Sequence, residues 1–366
     1  MSAQKTLTIL GAGCASLSLA RHKTRLPFDD IHIITDQDPC DRADHIWGFW
    51  QMPWLDEASD LSRKSWQKWK IITKEHSILH EAHHHPYHAV SARSWLQSCQ
   101  EIADPRMTIT TIHDDLPDAP YFDSRPLPRP KDAMRQHFIG HHITTKTPAF
   151  DPSTALLMDF RCDQSEGLHF LYLLPFSETE ALVESTLFSY NLLDDAYYET
   201  AIKRYLEDCH NLTDYDVISV EKGDIPMADI YDRASPDTAI GARGGAIRPS
   251  SGYAFTFIQK QIADLLASYQ PTNTNQGKAT RPISKRDLWM DAVFLRVLKG
   301  RPDLSISLFA KMAKVLTGDE FACFMSGTAN AMILFKVILA MPKFVFLSAA
   351  IQHSISLPMR DKRQKT

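Results

Sequence analysis

No Cys-x-x-Cys pair occurs in this chain. Its six cysteines, Cys14, Cys40, Cys99, Cys162, Cys209 and Cys323, are scattered, so neither a structural zinc site nor a redox dithiol has support. Reduced thiols in a cytoplasmic setting are expected. Charge of either sign is not in excess: the formal net charge is −4, which gives nucleic acid no reason to bind. No basic, apolar leader precedes the first strand-like run, so no secretory signal is expected. No internal repeat is visible. A clean apolar run of about 20 residues, the length that spans a bilayer, is also missing. Residues 331–351 come nearest, but Lys336, Pro342 and Lys343 interrupt them, and they read as buried or interfacial helix. The run His83-His84-His85 has no acidic or cysteine partner at a useful spacing. Pro86 follows it, so a loop or strand entry is the simpler reading than a metal site. What is present is ordinary for a globular protein: 366 residues, 44% apolar and 23% charged, enough for two domains or one large domain with a subdomain.

Residues 7–36 are the most informative stretch. Leu7-Thr8-Ile9-Leu10 reads as a short apolar strand running into Gly11-Ala12-Gly13-Cys14-Ala15-Ser16. A helix-compatible segment follows, and a second strand, Ile31 to Thr35, ends at Asp36. That is the strand, glycine turn, helix, strand, acid order of a dinucleotide-binding fingerprint. The first two glycines let the backbone turn tightly beside a pyrophosphate, and the helix N-terminus offers free N–H groups and a positive dipole end. Asp36 lies 23 residues beyond Gly13, where a ribose-binding carboxylate belongs. Ser16 stands where the third glycine would be. FAD and NAD both suit such a unit.

Further along, residues 40–57 are rich in aromatics. Residues 62–75 suit either strand or helix, with Trp66 and Trp69 as packing residues. Val90 to Arg93 precedes a helix that Ser91 or Ser94 can cap. Residues 114–132, full of Pro and Asp, read as loop. Ala155–Phe160, His169–Pro175 and Ala181–Phe188 are strand-like and separated by turns, which predicts an antiparallel meander. Residues 195–209 have helical spacing. Thr238 to Ala246 reads as strand into glycine turn, and a helix follows from about 254 to 268. Residues 269–282 look like a flexible link, and residues 286–352 are mostly helical.

Glu184 is the first candidate for chemistry. Strand alternation puts Leu182, Glu184, Thr186 and Phe188 on one face and Val183, Ser185 and Leu187 on the other. Both faces are largely apolar, so the carboxyl would be desolvated, its pKa raised and its proton available to a general acid. The other reading is a structural Glu paired with an Arg such as Arg161. Asp159 interrupts a neighbouring apolar strand. It is either the second half of an acid–base pair with Glu184 or a solvated edge residue. Arg243-Gly244-Gly245, with Pro249, Gly252 and Tyr253 before a helix, either brings backbone N–H groups to a flavin or phosphate or is a plain strand–helix turn.

Taken together, Gly11-Ala12-Gly13, His45-Ile46-Trp47-Gly48-Phe49, Phe170 to Pro175, Glu184-Ser185-Thr186, Gly252-Tyr253 and the run Phe309–Pro342 resemble bacterial lycopene cyclases of the flavoprotein superfamily. The resemblance spans nearly the whole chain. It implies an α/β fold: a Rossmann-like FAD-binding domain over residues 1–150, completed by about 236–268, an antiparallel-sheet substrate domain over 151–235, and a helical, membrane-facing C-terminal cap over 269–366. It also implies reduced FAD with NADPH as electron donor, a lycopene-like linear carotenoid as substrate, and peripheral attachment to the inner face of the cell membrane. The reaction implied is acid-catalysed ring closure to β end groups without net redox change. Within that resemblance Glu184 matches the essential acid of a Glu-x-Thr segment, and Asp159 the acidic position on the preceding strand. Gly11, Gly13, Ser16, Asp36, Arg93, Gly245, Gly252 and Tyr253 fall to the cofactor, and Trp47, Phe49, Phe170 and Tyr172 to the substrate pocket, where Trp50 and Phe188 are further candidate walls. Aromatic faces suit a carbocation, and such chemistry requires exclusion of water. The segment Asp123-Ser124-Arg125 departs from the Asp-Gly or Arg-Gly turn of many relatives. Two other functions fit the same features: an FAD-dependent monooxygenase acting on an aromatic or isoprenoid substrate, and a non-catalytic carrier of apolar ligands.

Overall fold

The computed structural model describes residues 5–37, 39, 43–103, 107–111, 121–269 and 277–363. Cys40, most of the Pro- and Asp-rich stretch before Tyr121, and residues 270–276 of the expected link lie outside them.

The N-terminal unit forms as its pattern requires. Strand Thr6–Leu10 pairs in parallel with Asp30–Thr35, with Leu7 opposite Ile31 and Ile9 opposite Ile33, and those four side chains are buried. Met107–Thr111 extends the sheet on one side and Tyr121–Asp123 on the other, both in parallel. Tyr121–Asp123 corrects the loop expectation for 114–132. Three residues carry no periodicity; their strand geometry comes from pairing with Thr6–Leu10. Ala239 bridges in parallel to Asp123, so the chain returns to this sheet late. Helix Cys14–Arg21 covers the sheet and is tied to two others through one hydroxyl. Ser18 Oγ accepts from Trp95 Nε1 of helix Ala92–Ala103 (2.9 Å) and from Gln259 Nε2 of helix Phe255–Ser268 (2.8 Å). Ser91 caps the second of these helices, accepting from Ser94 N at 3.1 Å. Ser94 lies inside the helix.

The central sheet has seven strands in the order Asp216–Met227, Met134–Thr144, Glu180–Ser189, Leu168–Pro175, Thr154–Asp159, Lys68–Ile72, Ser77–Glu81. The expected meander occupies its middle. The ambiguous stretch 62–75 resolves to strand, as Lys64–Trp66 and Lys68–Ile72. Met134–Thr144 and Lys68–Glu81, expected in the first domain, belong to this sheet. Helix Asp195–His210 covers one face, packing Ile202, Tyr205 and Leu206 on Leu171, Leu173 and Val183. The other face, with Leu182 and Phe188, joins the main core. A three-stranded antiparallel sheet, Ile46–Trp50, Tyr87–Ser91 and Lys64–Trp66, lies against that core.

The C-terminal part is helical: Lys285–Gly300, Ser305–Val315, Gly318–Met325, Ala331–Ala340 and Lys343–Arg363. Ser284 and Asn330 cap two of these helices, and Thr317 with Glu320 makes a capping box on a third. The histidine run docks on the last of these. Asp319 accepts from the backbone N–H groups of His83, His84 and His85. The buried Arg248–Asp291 pair ties helix Lys285–Gly300 to the loop before Gly252. Ala331–Ala340 and Lys343–Ile355 meet at 112°, and no single described helix is long and apolar enough to cross a membrane.

Candidate active site

The glycine turn makes a cradle. Gly11 has φ +88°, where an L side chain is strained, and a Cβ there would stand 2.8 Å from Ser124 Oγ. Its N–H is held by Ile34 O at 2.7 Å. Gly13 begins helix Cys14–Arg21, whose N-terminus has no side-chain cap, so its first N–H groups are available to an anion. Buried Ser16 shares a 2.7 Å hydrogen bond with Ser124 Oγ, which donates to Leu10 O. The departure from the third glycine and the departure at Asp123-Ser124-Arg125 therefore meet in one contact. Asp36 is exposed at the end of strand Asp30–Thr35, beside the same turn. Arg125 is folded back on Asp123, and Arg243 donates to Arg125 O. Gly245 packs against Arg281 and Tyr231 in the late turn. Arg93 is exposed in the first turn of helix Ala92–Ala103, its backbone N–H bound to Asp44 Oδ1 at 2.9 Å. It does not line the cavity described next.

A cavity of about 410 Å³ runs from Cys14, at the head of the first helix, to the central sheet, within the usual size range of small-ligand sites. Trp47, Trp50, Phe170, Tyr172, Phe188 and Tyr253 are among its walls, and Gly252 lines it too. Phe49 is a correction. It is fully buried, stacked on His88 and against Phe255 at 5.3 Å each, because it points to the opposite face of its strand from Gly48 and Trp50. Gly48 has a use that composition did not show. A Cβ there would lie 1.9 Å from Tyr87 Oη and 2.9 Å from Tyr172 Oη, so only glycine leaves room for a cluster of hydroxyls. Tyr87 Oη meets Tyr172 Oη at 3.0 Å and Tyr253 Oη at 3.4 Å.

Glu184 projects from the sheet into this cavity. Burial pushes its carboxyl up to about 7, only partly offset by a hydrogen bond from Thr186 Oγ1. Among the described residues no basic side chain stabilises the charged form.

The structure does not bring Asp159 to Glu184. Asp159 is opposite Leu171, one position out of step with the Tyr172–Glu184 pair, so it points to the helix-covered face. It is fully buried and held by Arg161, at 2.9 Å from Nε to Oδ1 and 2.6 Å from Nη2 to Oδ2, with Tyr205 Oη donating at 3.3 Å. Arg161 thus pairs with Asp159 and not with Glu184.

Sequence reasoning missed a second cavity carboxyl, Glu221. It lies on Asp216–Met227, whose mixed pattern hid the strand. Gly140 pairs with Glu184 on one side and with Glu221 on the other, so both carboxyls stand on one face of the sheet. Glu221 is 7% exposed. Burial first, then the nearby Glu184 charge, raises it to about 8, while a hydrogen bond from Ile46 N to Oε2 (2.8 Å) opposes that rise.

Comparison with known proteins agrees with these features. A lycopene β-cyclase from Paracoccus sp. (strain N81106 / MBIC 01143) is 33% identical over 140 residues, covering 36% of this chain and 35% of the relative. A lycopene β-cyclase from Pantoea ananas is 26% identical over 177 residues, 44% of each chain. The matched stretches thus span under half the length of these curated relatives. Among solved structures, a geranylgeranyl bacteriochlorophyll reductase-like protein from Thermoplasma acidophilum superposes with a TM-score of 0.59 at 12% identity, over 94% of this chain and 98% of the other. A flavin-dependent halogenase from Xanthomonas campestris does so with 0.53 at 9% identity, over 97% and 96%. These two show a shared mixed α/β fold. The profile of the lycopene cyclase protein family matches residues 114–350, which take in five of the seven strands of the central sheet, Glu184, Glu221 and most of the C-terminal helices. The chain belongs to the lycopene cyclase family.

Proposed function

We propose that the protein is a flavin-linked lycopene β-cyclase, with the N-terminal parallel sheet and the return at about 236–268 serving FAD, the central seven-stranded sheet, including Lys68–Glu81 and Met134–Thr144, the substrate, and residues 269–366 the membrane. The observation that carries this reading is Glu184: a cavity-facing carboxyl, kept protonated to about pH 7 by burial, among aromatic walls. A general acid working near neutral pH needs such a group. Its proton adds to the terminal alkene of the carotenoid and leaves a tertiary cation. The neighbouring double bond closes the ring, and loss of a proton completes the end group with no net oxidation. Aromatic faces stabilise the cation, and the apolar lining keeps out the water that would trap it as an alcohol.

The cradle fits FAD. Gly11 and Gly13 would admit the pyrophosphate, Asp36 would hold the ribose, and the turn through Gly245, Gly252 and Tyr253 would border the ring system. Reduced flavin held there, with NADPH as its electron source, would supply an electron-rich ring to stabilise positive charge without net electron transfer. The exposed apolar side chains of the last two helices would dock on the inner face of the cell membrane, where the substrate dissolves.

Expression in a lycopene-accumulating bacterium tests the reading. Pigments of unchanged mass carrying β rings are expected, and Glu184→Gln should retain flavin and leave lycopene linear. Ring formation by that variant would remove Glu184 as the acid. Oxygen in the product, with NAD(P)H consumed in proportion, would instead mark a monooxygenase, and unaltered carotenoid a carrier.

A further inference from the structure

Glu221 has no part in the scheme above, yet it shares the cavity with the acid. Glu184, Gly140 and Glu221 lie in one row across three adjacent strands. The two glutamates are two strand spacings apart, about 10 Å between Cα atoms. Between them is a glycine, where a Cβ would stand 3.0 Å from Glu221 Cγ and 3.3 Å from its Oε1. The space over Gly140 is taken by the Glu221 side chain and by Leu182 Cδ1, which that Cβ would meet at 3.2 Å, so glycine is what lets Glu221 lie across the middle strand. The two carboxyls are anchored differently. Glu184 has the Thr186 hydroxyl. Glu221 Oε2 has the Ile46 backbone N–H at 2.8 Å and His45 Nδ1 at 3.8 Å. Burial raises both, Glu184 to about 7 and Glu221 to about 8, so near neutral pH they hold about one proton between them, and the backbone donor to Glu221 favours the state in which that proton sits on Glu184. Like charges so placed resist ionising together.

Resting on the cyclase reading, we propose that Glu221 is the catalytic base of this cavity, paired with Glu184 as the acid. The Glu184 O–H bond breaks as a C–H bond forms on the terminal alkene. After ring closure, a C–H bond beside the cation breaks, its electrons become the ring double bond, and the proton passes to Glu221 Oε1. Return of that proton from Glu221 to Glu184 resets the pair. No oxidant or reductant is consumed. The titratable groups facing Glu221 are Glu184 and Tyr172 from the sheet and Asp44 and His45 from the segment leading into Ile46–Trp50.

Glu221→Gln tests this, since the amide oxygen can still accept from Ile46 N–H. Wild type and variant are compared with lycopene in phospholipid vesicles and reduced flavin, across pH. The variant should bind flavin as wild type does and lose about 10²-fold or more in ring formation, with Glu221→Asp restoring part of it. Infrared titration of the wild-type and Glu184→Gln proteins adds a readout independent of turnover: the Glu221 carboxyl should titrate lower once the Glu184 charge is gone. Wild-type rates and an unchanged pH profile in Glu221→Gln overturn the base assignment and leave the cyclase reading standing, and a Glu221 titration indifferent to Glu184→Gln overturns the pairing. Absence of rings from the wild type is the separate failure of the cyclase reading itself.

Discussion

Tyr172 stands directly opposite Glu184 in the antiparallel ladder, and its hydroxyl is held by Tyr87 at 3.0 Å. The acid thus faces neutral phenols, themselves pushed well above their usual range by burial. Its proton is held by burial rather than by a specific partner.

That has a measurable consequence for stability. An unfolded glutamate carboxyl titrates near 4.5, and folded Glu184 at about 7. Burial of this group is without penalty below pH 4.5. The penalty grows as pH rises toward 7 and levels off above it, at about 3 kcal/mol. Glu184→Gln should therefore melt at nearly the wild-type temperature at pH 5 and increasingly above it toward pH 9. Catalysis runs the same way, since the acid must carry its proton: ring formation should fall as pH rises through about 7. A melting difference that does not change with pH would contradict a buried, uncompensated acid.

Asp159 separates structure from chemistry. Its carboxylate is sealed on the helix-covered face by Arg161 and Tyr205. Arg161 keeps 41% of its side chain exposed, so water can take over part of what it loses. Asp159→Asn should cost about 1–3 kcal/mol of stability, read as a lower denaturant midpoint. The folded enzyme should keep ring formation within about twofold of wild type. A large loss of turnover at unchanged stability would restore Asp159 to the catalytic machinery.

The sequence made some of this architecture legible and hid the rest for physical reasons. The first strand–helix–strand unit shows because its glycines, apolar alternation and closing Asp36 are all local. Glu184 shows because it interrupts an apolar run. Asp159 interrupts one equally well, and only register separates them: it sits opposite Leu171, one step off the Tyr172–Glu184 pair, and a single step moves a side chain to the other face. Phe49 differs from Trp50 in the same way. Glu221 was hidden because its strand has an exposed run, Val217, Ile218 and Val220, and no clean alternation. Its partnership with Glu184 passes through Gly140 of a third strand, a relation that exists only in the folded sheet.

Gly11→Ala addresses the cofactor cradle. At φ +88° a methyl group is strained and meets Ser124 Oγ at 2.8 Å, and Ser124 is fixed by Ser16 and Leu10. Strain of about 1–3 kcal/mol falls where the backbone must approach the pyrophosphate. The purified variant should carry about tenfold less flavin or worse by absorbance, while far-ultraviolet circular dichroism stays native. Full flavin occupancy would move the cofactor away from this turn.

The last two helices bear the membrane proposal. In Lys343–Arg363, Phe344, Leu347, Ile351 and Ile355 recur at three- and four-residue spacing and are 91%, 60%, 52% and 61% exposed. In Ala331–Ala340, Phe335, Ile338 and Leu339 are all more than half exposed. Lys343 Nζ donates to the Ile338 and Leu339 carbonyls, fixing the 112° corner between the helices. A stripe of this width on a soluble surface normally has a partner, and transfer of each large side chain out of water is worth about 1.5–3 kcal/mol. Phe344→Glu combined with Leu347→Glu should lower co-sedimentation with phospholipid vesicles by about 10²-fold or more while leaving the fold and flavin content intact. Turnover should fall with lycopene presented in vesicles and recover with lycopene presented in detergent micelles. Undiminished vesicle binding would show that these helices meet something other than lipid.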